Sequence, residues 1–257
     1  MRSLLNDTIL TVVALLAVSS VAVAQNPSRP GSGNAGDLSG LWDRIRRGAA
    51  RSFYYSEGPP SLTPWAAEIF RENRDVGDAV ESGNDDLDPT LYCLPDGMPR
   101  VYTGNDPFEI VQASGKVYIL FERLHLVRRI YLDGRTMPEG YPPSFMGYST
   151  GKWEEGTLVV ETGGFNDLTW MDRTGHPHSE ALRVVERFRR PTRDTLEIDF
   201  RFDDPQAFTK PWGAKERFQL RTDLEIMENN GVCEVRQMHD YSQKSRIGTD
   251  WADPNQY

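Results

Sequence analysis

Between Arg100 and Leu220 the chain is a succession of short runs that alternate apolar and polar residues, broken by turn sequences. Leu196, Ile198, Phe200 and Phe202 alternate with the charged Glu197, Asp199 and Arg201. A period of two places the apolar set on one face, as in an antiparallel strand with one side buried and the other in water. Phe108 to Gln112 leads through Ser114-Gly115 into Val117 to Glu122, which predicts a hairpin, and Tyr148 to Trp153 and Thr157 to Thr162 flank a second turn at Glu154-Glu155-Gly156. His125 to Leu132, Glu180 to Phe188, Thr195 to Phe202 and Trp212 to Leu220 supply further strands. Many short strands with a single helical patch predict an all-β fold, a single antiparallel meander barrel with a short N-terminal helix and long loops.

The helical patch opens at Thr63-Pro64-Trp65. Thr63 is suited to cap the helix, and Pro64 to the first helical position, where its missing N–H costs nothing. The helix is expected to run to about Asn73, with a polar loop from Asp75 to Pro89. The basic and aromatic stretch Asp43 to Gly58 reads as a solvated face. Pro138 to Pro143 reads as a loop or lid.

Residues 1–24 carry an early Arg2, an apolar run from Ile9 through Val18 and Ala22-Val23-Ala24 before Gln25, the pattern of a secretory signal peptide. The run is short of the roughly 20 apolar residues of a membrane span. Export to the periplasm or beyond is expected, with residues 25–36 as a flexible lead-in and 37–257 as one domain. A net charge of −9 argues against nucleic acid or an anionic membrane as partner and leaves a small molecule as the expected one. The two cysteines, Cys93 and Cys233, can close a disulfide in an oxidising compartment.

Two of the four histidines, His176 and His178, stand two apart in Gly175-His176-Pro177-His178. On an extended strand both imidazoles point to one face and can line one pocket wall. A shared metal would need a third ligand, such as His125 or Glu122. The carboxylate that follows a cupin His-x-His pair by four or five residues is replaced by Leu182 and Arg183. No metal ligand is assigned, and the sequence does not identify a cofactor. The expected catalytic set is His125, His176 and His178 as acid and base, Glu122 to orient an imidazole, and Arg128 to stabilise an anionic intermediate. The expected ligand contacts are Trp170, Asp172 and Arg173 on the loop before the histidines, and Tyr131. His239 is taken for a surface residue.

Gly40-Leu41-Trp42 resembles the opening Gly-x-Trp of calycins, the lipocalin and avidin type of barrel, in which the Trp plugs one end. The runs Gly151 to Thr162, Gly164-Phe165-Asn166-Asp167 and His176 to Phe188 resemble those of a large family of exported, mostly uncharacterised bacterial proteins. That resemblance spans about Leu38 to Glu234. It implies a calycin-like barrel and carries no activity with it. Two function classes remain. One is an exported lyase, isomerase or hydrolase acting on a small molecule at a histidine-lined barrel mouth. The other is a non-catalytic, lipocalin-like binder of an apolar or aromatic small molecule.

Overall fold

The computed structural model describes residues 36–45, 52–79, 88–92 and 94–226. The leader, all but the last residue of the lead-in, both cysteines and His239 lie outside the described residues. Nine strands close into one barrel in chain order: β1 Gly40–Arg44, β2 Phe108–Ala113, β3 Lys116–Phe121, β4 Val127–Tyr131, β5 Tyr148–Glu154, β6 Thr157–Gly163, β7 Arg183–Thr192, β8 Thr195–Asp203 and β9 Trp212–Arg221. The all-β class, the meander order and the two hairpins follow the alternation in the sequence.

One strand pair departs from the antiparallel plan. β4 and β5 run parallel, joined at Ile130–Ser149 and Tyr131–Thr150. Strict up-and-down alternation over nine strands would bring the first and last together parallel. The single parallel step reverses that parity, so β1 and β9 meet antiparallel. A parallel pair needs a crossover long enough to return the chain to its starting end. Residues 132–147 provide it, and the proline-rich stretch is part of this crossover.

The two ends of the barrel differ. Ser114-Gly115, Glu155-Gly156 and Arg193-Asp194 are tight turns at one end. Glu155 and Gly156 both have positive φ, 46° and 79°, as a two-residue hairpin turn that matches the sheet twist requires. The long connections 45–107, 122–126, 164–182 and 204–211 all gather at the other end. Trp42 is fully buried beneath the Arg190 guanidinium, 5.0 Å from its ring, and its Nε1 donates to Leu38 O at 2.9 Å. Arg190 also donates to the carbonyls of Asp37 and Arg193, which ties the residues just before β1 to the β7–β8 turn at the short-turn end.

The helix α1, Pro64–Ala79, belongs to the loop end. Thr63 caps it, Oγ1 accepting from Ala66 N at 3.3 Å. It runs past Asn73 because polarity alone does not stop a helix, and the next proline downstream is Pro89.

The middle of the barrel is packed with side chains. Tyr102, on the 3-10 turn Arg100–Thr103, reaches in from the loop end and meets the rings of Phe108, Phe121, Phe200 and Phe218. Two buried ion pairs, Arg44–Glu216 and Arg128–Glu186, complete the filling.

Candidate functional site

The histidine pair does not lie on a strand. Gly175 has φ +97°, a conformation that favours glycine, and Pro177 has no N–H to give a ladder. The segment is a loop pinned by a bridge between Trp170 and Pro177 and by Met171 N donating to His176 O at 2.7 Å. β7 starts only at Arg183. Without strand geometry the two imidazoles take separate partners.

His178 is 2% exposed and has both ring nitrogens engaged. Ser179 O, 3.2 Å from Nδ1, can only accept, so Nδ1 carries the hydrogen and Nε2 accepts from the Thr169 hydroxyl at 3.0 Å. Burial lowers its pKa below the ordinary value, so the ring is kept neutral. This histidine holds the loop together and offers no lone pair to a ligand.

His176 is placed differently. Its Nδ1 lies 2.8 Å from Asp172 Oδ2, and Asp172 is completely buried. Burial alone would raise the Asp172 pKa, but hydrogen bonds and charge from His176, with further bonds from Ser52 and Thr174, hold it below the usual carboxylate value. An ionised Asp172 can only accept, so His176 Nδ1 donates. The Ser52 hydroxyl also donates to Asp172 Oδ2, which leaves Ser52 Oγ to accept from the Tyr55 hydroxyl at 2.7 Å. Burial, outweighing the bond to Ser52, pushes the Tyr55 phenol up to about 12 and keeps it neutral. Asp172 Oδ1 is occupied by Thr174 N at 3.0 Å and Thr174 Oγ1 at 2.7 Å.

The outcome is a directed chain, Tyr55 to Ser52 to Asp172, with His176 donating into the same carboxylate. His176 Nε2 has no hydrogen-bond partner among the described residues and is not a sealed, orphaned atom. Phe70 of α1 stacks on the imidazole at 4.0 Å and 15°, and Tyr55 meets it edge-on at 6.4 Å. Asn73 Nδ2 donates to Gly175 O at 2.8 Å and fixes the helix against the loop.

Of the expected site residues, only Asp172 and His176 come together. His125 is exposed on the 3-10 turn Arg123–His125 with φ 51°, not on a strand, and Glu122 is half-buried at the start of that turn. Neither joins the Asp172–His176 network. Arg128 faces the barrel interior, 1% exposed, with its donors spent on Glu186, Tyr102, Ser149 and Thr162. Trp170 is buried with the Arg100 guanidinium 5.2 Å from its ring, so it offers no open face to a ligand. Arg173 is half-buried on the loop. Tyr131 lies on the outside of the barrel, stacked on Tyr148 at 5.1 Å with the Arg135 guanidinium 4.2 Å from its ring.

Ser52, Tyr55, Phe70 and Asn73 complete the cluster and were not expected from the sequence. Among the described residues no group of three or more His, Cys, Asp or Glu is arranged to hold a metal. The arrangement suits proton transfer: a buried carboxylate fixes the tautomer and orientation of an imidazole whose second nitrogen remains available.

No protein-family model matches the chain, and no curated protein matches it. Among solved structures, the chain is similar to a secretary abundant heat soluble (SAHS) protein from Ramazzottius varieornatus, at 12% identity and a TM-score of 0.33, over 74% of this chain and 98% of that one.

Proposed function

We propose that this is an exported, lipocalin-like barrel protein that acts on a small molecule by proton transfer at His176, in a lyase, isomerase or hydrolase reaction. The observation that carries the reading is the Asp172–His176 pair, with Nδ1 donating to a buried carboxylate and Nε2 without a hydrogen-bond partner among the described residues. Such a nitrogen can take a proton from a bound molecule, and Asp172 stabilises the imidazolium that results. The calycin-like part of the reading is supported by Trp42, buried at the short-turn end, and export by the leader sequence.

Purified chain starting at Gln25 would be screened against esters, lactones and enolisable carbonyl compounds, with His176→Gln, His178→Gln and His125→Ala alongside. Turnover is expected to fall about 100-fold or more in His176→Gln, as for loss of a general base, and to persist in His125→Ala. An activity that survives His176→Gln would remove this reading. Mass spectrometry of the protein produced with its leader is expected to show an N-terminus at Gln25.

A further inference from the structure

We propose that Ser52, steered by Tyr55, is a positioning residue for His176: by sharing the Asp172 carboxylate it holds down the proton affinity of the imidazole and keeps the ring ready to accept a proton. The meaning of this for catalysis rests on His176 being the reactive group. The test does not.

His176 Nδ1 and Ser52 Oγ donate to the same oxygen, Asp172 Oδ2. Two donors on one oxygen divide its charge, and what one takes up the other no longer meets. A buried carboxylate given over to His176 alone would favour the imidazolium, and a ring that already carries its second proton cannot act as a base. Tyr55 donates to Ser52 Oγ at 2.7 Å and so polarises the Ser52 hydroxyl toward Asp172.

Ser52 is aimed by the barrel wall. β9 receives the chain twice along one edge. Ile45 N donates to Arg217 O at 2.9 Å, and beyond Ser52 the edge is taken up again by Tyr54 O, which accepts from Lys215 N at 2.9 Å, and by Ser56 N, which donates to Gly213 O at 2.9 Å. The buried Arg44–Glu216 pair holds both peptides that flank Phe53. Arg44 Nη2 donates to Ser52 O at 2.9 Å, and Glu216 Oε1 accepts from Tyr54 N at 3.1 Å. Phe53 is itself buried against the rings of Phe200 and Phe202, each 5.2 Å away. A side chain whose backbone is fixed in this way can hold its donor on one carboxylate oxygen.

The titratable groups against the imidazole are Asp172 and Tyr55. On α1, which packs Phe70 on the ring, Arg71 is exposed and Glu72 half-buried, and Arg173 is half-buried on the loop. Substitutions at Ser52 leave all of these in place.

Nitrogen and proton NMR of the folded full chain follows the His176 ring over pH, with His176→Gln to assign its signals. In Ser52→Ala the midpoint of the ring titration is expected to rise by about half a unit to one unit, a threefold to tenfold gain in proton affinity and a part of what a hydrogen bond to a charged group contributes. Ser52→Thr, which keeps the hydroxyl, is expected to restore the original midpoint. Tyr55→Phe keeps the ring contacts and is expected to give a smaller rise in the same direction, and it decides alone if Ser52→Ala does not fold. A midpoint that stays or falls in these variants would overturn the proposal, as would a rise that Ser52→Thr shares with Ser52→Ala. Turnover that persists in His176→Gln overturns the chemistry instead, and leaves these midpoints where they are.

Discussion

Arg128 and Glu186 meet end-on in the middle of the barrel, the two terminal nitrogens of a guanidinium against the two oxygens of a carboxylate, with Nη1 2.8 Å from Oε1 and the two side chains 1% and 0% exposed. The remaining Arg128 donors reach Ser149, Tyr102 and Thr162, so the charge is both paired and fully hydrogen-bonded. Removing one partner strands the other. Glu186→Ala is expected to cost about 3–5 kcal/mol by chemical denaturation, and Arg128→Met with Glu186→Leu to restore most of that loss. Equal losses in the single and double variants would mean that packing volume, not charge, dominates.

The crossover that makes the β4–β5 pair parallel ends at Gly147, with φ 63°. A Cβ there would lie 2.7 Å from Gly163 O and 2.8 Å from Phe165 Cε1. Gly134, at the other end of the crossover, has φ 79° and open space around the same position. Both substitutions to Ala pay for the left-handed backbone, about 1–2 kcal/mol. Only Gly147→Ala also forces backbone and ring apart, so it is expected to cost about 3 kcal/mol or more in thermal or chemical unfolding.

The barrel was legible because its strands advertise themselves locally. Leu196, Ile198, Phe200 and Phe202 need no knowledge of the rest of the chain to be placed on one face. The parity of Arg128 with Ile130, and of Glu186 with Val184 and Phe188, already put both charges on the buried face, where a pair is a better expectation than a catalyst. The parallel step could not be read, because nothing in β4 or β5 alone distinguishes the direction of approach. Gly175 and Pro177 were local signals against a strand through the histidine pair. The rest of the site was hidden by distance along the chain: Ser52 meets Asp172, and Tyr55 and Phe70 meet His176, from more than a hundred residues away, and only the closed barrel brings them there.

His178 makes the stability of the fold depend on pH. Its neighbours are Thr169 and the Ser179 carbonyl, and the carboxylates of Asp204 and Asp167 act on it through their charge, yet burial dominates and lowers its pKa. In the unfolded chain the same imidazole takes up a proton as the pH falls below about 6.5. The unfolded state then binds more protons than the folded one, so stability is lost as the pH drops through that value. The melting temperature is expected to decline between pH 7 and pH 5, and to decline less in His178→Gln, where no proton is taken up.

Asp172→Asn separates the two tasks of the buried carboxylate. Asn matches the shape but supplies one acceptor oxygen and an NH2 group, so it cannot accept from Ser52, Thr174 and His176 together. The variant is expected to lose about 3 kcal/mol, through broken charge-assisted hydrogen bonds in a sealed site. It also frees the His176 imidazole to move its hydrogen from Nδ1 to Nε2, which nitrogen NMR of the ring reads directly. Because the Asp172 pKa is depressed in the folded state, its contribution is complete above the ordinary carboxylate value of about 3.9 and disappears as the pH falls through the lower folded value. The stability curves of the two proteins are therefore expected to run apart near neutrality and converge in acid. A gap that stays constant down to pH 2 would mean that the loss in Asp172→Asn comes from packing, with the carboxylate charge contributing nothing.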